Sequence, residues 1–283
     1  MSIGVRAHDF GRRPARDLAR AIRAAGFDSL QLAPQKCLDS WDDLASVDVA
    51  GLRTAVETIR SEGLEISVFG CYVALGHPEV EARRAAQDQF LRGLELAAQT
   101  GLRLVATETP KRLPGETREE AFARLLESCD RLLPQLQNFP EQVMALEIVQ
   151  DHCLSSAEQA LFLSQRYQSP QLGWILDPVN LLADGREDQA ALYTDFVEKL
   201  GPELQALHLK DVVFESGTKV WRPLGQGIVD YSCLQKILPP ERLASLPLLR
   251  EHARPDCQLA EDLAFLQRFK AAAPLTAPPS SCS

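Results

Sequence analysis

Short apolar runs suited to buried strands recur along the chain and alternate with longer amphipathic segments of helical period. The runs cover residues 3–7, 29–33, 65–69, 102–107, 143–149, 172–177, 204–210 and 247–251. Residues 14–25, 49–61, 80–100, 118–137, 156–167, 186–200, 232–238 and 256–270 carry the helical pattern. Gly26, Gly63, Gly101 and Gly201 each follow a helical segment, the position of a left-handed C-cap glycine. Thr117, with Glu120 three residues on, matches a capping box. Eight strand–helix units in strict alternation predict an α/β fold, a (β/α)8 TIM barrel forming a single domain over 1–273. A doubly wound sheet would advertise a phosphate loop after an early strand, and neither GxGxxG nor GxxxxGK(S/T) occurs. The nearest match, Gly225-Gln-Gly227, lies late in a loop. The stretch 274–283, rich in Pro and Ser and almost uncharged, reads as a disordered tail.

Four of the apolar runs carry a polar residue of ligand type at or within two residues of their C-terminal end: Glu147, Asp177, His208 and Glu251. Their spacings are 177 − 147 = 30, 208 − 177 = 31 and 251 − 208 = 43 residues, and a strand with its returning helix takes roughly 30. Because side chains alternate across a strand, Ala145, Ile175, Ala206 and Leu249 share a face with the four in turn. Each polar residue is therefore expected on top of a dry barrel interior, at the C-terminal mouth where barrel enzymes place their chemistry. Three carboxylates and one imidazole without a thiolate suit one divalent ion such as Mn²⁺, Co²⁺ or Mg²⁺. The ordinary alternative for any one of them is a helix N-cap.

Bulk properties narrow the partners. At 283 residues and 45% hydrophobic content the chain can bury the core of one large domain. A net charge of −9 argues against nucleic acid, whose binding draws on clustered Lys and Arg. The seven cysteines include no CxxC pair and read as reduced thiols. With no secretory signal pattern and no apolar stretch approaching a membrane span, the expected location is the cytoplasm, away from the membrane.

The order Glu, Asp, His, Glu comes with the strings Ala-Leu-Glu147-Ile, Leu-Asp177-Pro-Val-Asn180, Leu-His208-Leu-Lys-Asp211 and Pro-Leu-Gly225-Gln-Gly227-Ile-Val-Asp-Tyr. Together they resemble the xylose-isomerase-like TIM-barrel superfamily, and within it the sugar phosphate isomerase/epimerase group with its ketose 3-epimerases and inosose dehydratases. The resemblance spans the whole barrel, from Ile3 to about Phe269. It implies a divalent metal held by Glu147, Asp177, His208 and Glu251, a carbohydrate substrate, and Glu147 and Glu251 as acid and base on opposite faces of a bound ketose. One departure stands out: those epimerases carry a substrate-binding His three residues after the metal Asp, and here that place is Asn180.

Proton removal beside a carbonyl needs negative charge stabilised on its oxygen, which a chelated divalent cation does as a Lewis acid. Glu147 or Glu251 then takes the proton and the other returns one, giving an epimer or an aldose–ketose isomer according to the carbon that receives it. Loss of a β-hydroxyl instead gives dehydration, so a cyclitol or sugar-acid dehydratase is the first rival. An apurinic-site endonuclease would need more His than the five present, and a non-catalytic sugar- or partner-binding barrel is the third rival.

Further residues are expected near the mouth. Arg6 and His8 alternate along the first strand, Arg6 serving either a substrate anion or an internal carboxylate. Glu108 and Lys210 contact substrate or form an ion pair, Glu108 with Lys210 or with Arg6. Arg222 lies in the long segment after the seventh strand, and such loops often cover sites. His152 follows the fifth strand, whereas His77 reads as part of a turn. Exposed helix faces permit a homo-oligomer without selecting one.

Overall fold

The computed structural model describes residues 2–255 and 259–271. The eight barrel strands are β1 (Ile3–Arg6), β2 (Ser29–Leu32), β3 (Glu65–Gly70), β4 (Leu104–Glu108), β5 (Val143–Glu147), β6 (Leu172–Leu176), β7 (Leu204–Leu209) and, last in the chain, β10 (Leu248–Arg250). All pair in parallel in the order β1-β10-β7-β6-β5-β4-β3-β2, and β1 against both β2 and β10 closes the barrel. Closure is tight at Gly4, where a Cβ would lie 2.4 Å from Ser29 Oγ and 2.7 Å from a Leu249 methyl. The (β/α)8 expectation holds, and each strand agrees with its apolar run to within two residues.

Two further strands, β8 (Asp211–Glu215) and β9 (Thr218–Arg222), form an antiparallel hairpin after β7. The segment expected to be a long loop is therefore ordered structure. Its two-residue turn, Ser216 at φ 50 and Gly217 at φ 79, has the left-handed geometry that matches strand twist.

The crossover helices begin where the caps demand. Asp48, Ser156, Asp188 and Asp230 accept from the backbone N–H three residues on, and Thr117 with Glu120 completes the capping box. Gly26, Gly63 and Gly101 take positive φ as expected of C-caps. Gly201 does not: its φ is −53, because the chain runs directly into the 3-10 turn Gly201–Glu203 and needs no left-handed residue. The last helix is Leu259–Lys270; residues 256–258 of its expected span and the expected tail at 274–283 lie outside the described residues.

The apolar interior divides in two. Most of it packs between barrel and helices, with Trp174, Phe27, Phe90 and Phe196 at most 1% exposed. A separate cluster of Val68, Leu104, Ala106, Val143, Ala145, Ile175, Ala206 and Leu249 fills the barrel. It contains all four residues expected beneath the polar strand ends. The five described cysteines, Cys37, Cys71, Cys129, Cys153 and Cys233, are unpaired. No helix among the described residues is long and apolar enough to cross a membrane.

Candidate active site at the barrel mouth

Glu147 closes β5, Asp177 follows β6, His208 lies in β7 and Glu251 follows β10, so four neighbouring strands deliver them to one end of the barrel. All four are buried, none more than 7% exposed. His208 Nδ1 lies 3.1 Å from Glu147 Oε2 and 3.0 Å from Glu251 Oε1. One ligand-type atom from each of these three residues falls within 4.8 Å of the others. Despite the short separations, neither ring nitrogen of His208 has a hydrogen bond of directional geometry.

Asp177 joins the group differently. Its Oδ1 accepts from the backbone N–H of Val179 at 2.9 Å and of Asn180 at 3.3 Å, capping the 3-10 turn Pro178–Leu181. The ordinary N-cap role is thus realised at this position. Its buried Oδ2 has no directional hydrogen bond but lies 2.8 Å from the Lys210 ammonium, which also donates to Glu251 Oε2 at 3.0 Å.

Charges in this space compensate one another. Burial disfavours a charged His208, yet Glu251 and Glu147 overcome it and raise the imidazole to about 10. Burial likewise works against the Glu251 carboxylate, but Lys210, His208 and Arg6 hold it well below the usual range. Burial raises Asp177 to about 6 against the opposing pull of Lys210. Converging carboxylate oxygens and imidazole nitrogen, with orphaned buried atoms among them, are what a divalent cation satisfies, so the residues present fit one.

A cavity of about 420 Å³ opens above the group. Arg6, Glu108, His152, Asn180 and Lys210 line it, as expected. Arg6 is committed to Asp9, with Nε and one amino nitrogen at 3.0 and 2.7 Å from Oδ1, and stands 3.6 Å from Glu251 Oε2. Of its two anticipated roles the internal partner is the one seen. Asn180 Nδ2 donates to Glu147 Oε1. The expected ion pairs of Glu108 with Lys210 or Arg6 do not form among the described residues.

Two expectations need correction. His8 is not among the lining residues, because β1 ends at Arg6 and a 3-10 turn over Ala7–Phe10 breaks the alternation that would have aimed it inward. Its ring packs edge-on to Tyr72 at 5.5 Å. Arg222 is also outside the lining: hairpin alternation turns Lys219 and Trp221 to the cavity, and Arg222 pairs with Glu215 at 2.6 Å. Gly225-Gln-Gly227 cradles an internal anion, since both glycine N–H groups donate to Asp211 Oδ2 at 2.9 Å. His77 sits in a turn, its Nδ1 accepting from Glu79 N–H.

Sequence reasoning missed Gln31, Tyr72, Lys219, Trp221 and His252 among the lining residues. Trp221 stacks on His252 with ring centroids 3.9 Å apart. Tyr72 and His252 occupy the left-handed region, at φ 54 and 53, which is costly for non-glycine residues and typical of functional loops. Ser216-Gly217 between alternating residues was a legible hairpin signal. Nothing in the sequence marks Tyr72.

A family model described as xylose isomerase-like TIM barrel matches residues 19–269. Among solved structures, the chain is similar to a D-psicose 3-epimerase determined in the presence of D-fructose, at 15% identity and TM-score 0.73, over 96% of this chain and 100% of that one. A 3-keto-D-glucoside 4-epimerase from E. coli matches at 18% identity and TM-score 0.73, over 94% and 99%. A xylose isomerase-like protein from Mycobacterium smegmatis in complex with magnesium matches at 20% identity and TM-score 0.70, over 96% and 97%.

Proposed function

The chain belongs to the xylose isomerase-like TIM-barrel family, and from that premise we propose that it is a sugar isomerase or epimerase that moves a proton beside a carbonyl with a divalent cation as cofactor. The observation carrying this reading is the convergence of Glu147, His208 and Glu251 within 4.8 Å at the floor of the cavity. Those three would hold the cation, with Asp177 as a fourth once Lys210 releases its Oδ2. When bound, the ion supplies Lewis-acid polarisation of a carbonyl oxygen, a contribution of several kcal/mol.

The chain's own groups do the rest. Glu147 and Glu251 flank His208, so one removes a proton from the carbon beside the carbonyl and the other returns one. Glu251, in contact with Lys210 and His208, is held in the ionised form. Asn180 fixes one oxygen of Glu147, which orients the other. Trp221 and Tyr72 wall the cavity, whose volume is in the usual range of roughly 300–1,000 Å³ for small-molecule sites. Return of the proton to the opposite face of the same carbon yields an epimer, and return to the neighbouring carbon an aldose–ketose isomer.

The test is a ketose and aldose panel assayed with added Mn²⁺ for the wild type, Glu147→Gln and Glu251→Gln. Both variants are expected to lose turnover while keeping their circular dichroism, and full activity in either one sinks the mechanism. Calorimetric titration of the metal-free protein with Mn²⁺ checks the cation independently: one ion should bind, and His208→Ala should weaken it at least tenfold.

A further inference from the structure

Among the described residues lining the cavity, three of the four Lys and Arg side chains are matched by carboxylates. Arg6 pairs with Asp9, Lys210 with Asp177 and Glu251, and Lys111 with Asp151. Lys219 is the exception. Its half-buried ammonium donates to the Val179 carbonyl at 3.0 Å and lies 5.9 Å from the Phe214 ring centre, with no carboxylate in ion-pair range. An ammonium carries three donors, so two have no protein acceptor. Partial burial without a carboxylate in contact is unfavourable, and it lowers this ammonium's affinity for its proton, with Lys210 adding to the effect and the more distant carboxylates of Asp177, Asp151 and Glu187 opposing it.

The hairpin determines where this charge sits. Lys219 and Trp221 are two apart in β9, share its cavity-facing side, and arrive in the wall together. Trp221 is braced by His252 and offers an indole face of the kind that packs on the C–H face of a sugar. A flat apolar surface beside a cation with no carboxylate in ion-pair range suits a ligand that is carbohydrate along its length and anionic at one end.

We propose that Lys219 is a specificity residue that takes an oxyanion of the substrate, making the substrate class a sugar acid or sugar phosphate rather than a neutral sugar. The proposal rests on the sugar-site reading above. Carboxylate and phosphate share the recognising chemistry, a charge-assisted hydrogen bond from the ammonium.

The experiment measures binding of molecules without an aldehyde or ketone, which cannot be epimerised or isomerised by this route: D-sorbitol, D-gluconate and D-sorbitol 6-phosphate, by calorimetry on wild type, Lys219→Met and Lys219→Arg. One of the anions should bind wild type about tenfold or more tightly than sorbitol, the discrimination one such bond supplies. Lys219→Met should remove that preference while changing sorbitol binding less than about twofold, and Lys219→Arg should keep most of it. The anion that wins identifies the source. Equal binding of all three by wild type, or a preference surviving in Lys219→Met, overturns the assignment and leaves the sugar site standing. Failure of all three to bind wild type overturns both.

Discussion

The barrel interior and the barrel mouth are built on the same face of the same strands, one side-chain step apart. Ala145, Ile175, Ala206 and Leu249 form a dry apolar floor, and two residues further on Glu147, Asp177, His208 and Glu251 gather three acids and an imidazole. The floor is held by non-directional burial and tolerates no polar atom. The mouth is equally buried and survives only because its charges answer one another: Lys210 between Asp177 and Glu251, His208 between Glu147 and Glu251. Rigidity below therefore serves precision above, since a packed floor keeps charged groups from relaxing apart.

The largest break is expected in the mouth. Lys210→Met leaves Asp177 and Glu251 facing one another without their ammonium, and loss of one partner from a buried charge group costs about 3–5 kcal/mol. Denaturant titration of the metal-free protein should show that loss, and Mn²⁺ should recover more of it in the variant than it adds to wild type. Leu249→Ala attacks the floor, where a buried truncation costs about 2–5 kcal/mol. Here Mn²⁺ should bring no extra recovery, and an equal recovery in both variants erases the distinction between the two layers.

A smaller effect is expected beside the mouth. Burial, helped by Arg6 and Lys36, holds the His8 imidazole down to about 3, whereas the unfolded chain protonates near 6.5. The unfolded state thus binds more protons between those values, so stability is full above about 6.5 and declines as pH falls towards 3. His8→Phe should flatten that decline between pH 7 and 4.5 in urea melts, and an unchanged slope removes His8 as its source. The smallest stability change belongs to the rim, where Lys219→Met on the half-exposed hairpin should stay within about 0.5 kcal/mol of wild type in the same melts.

Much of this was legible beforehand because period and spacing are local properties. Alternation of apolar runs with amphipathic segments specified eight strands, their helices and the face each strand turns inward, and the strand ends marked the four residues that reached the mouth. Alternation failed where the strand itself ended: His8 lies beyond β1 in a 3-10 turn, and one-dimensional reading could not see the break. It failed again at Arg222, whose segment was read as an irregular loop although its period belonged to a hairpin.

What the sequence determined alone is the closed barrel and the identity of its polar strand ends, since both follow from which side chains must leave water. Partnership, by contrast, emerges only from the folded chain. Lys210 pairs with Asp177 and Glu251 rather than with Glu108, Asp177 caps a turn with one oxygen while presenting the other, and Lys219 has no carboxylate in ion-pair range among the described residues. Electrostatic pairing depends on separations of a few ångströms between residues tens of positions apart, and closure of the sheet is what sets those distances.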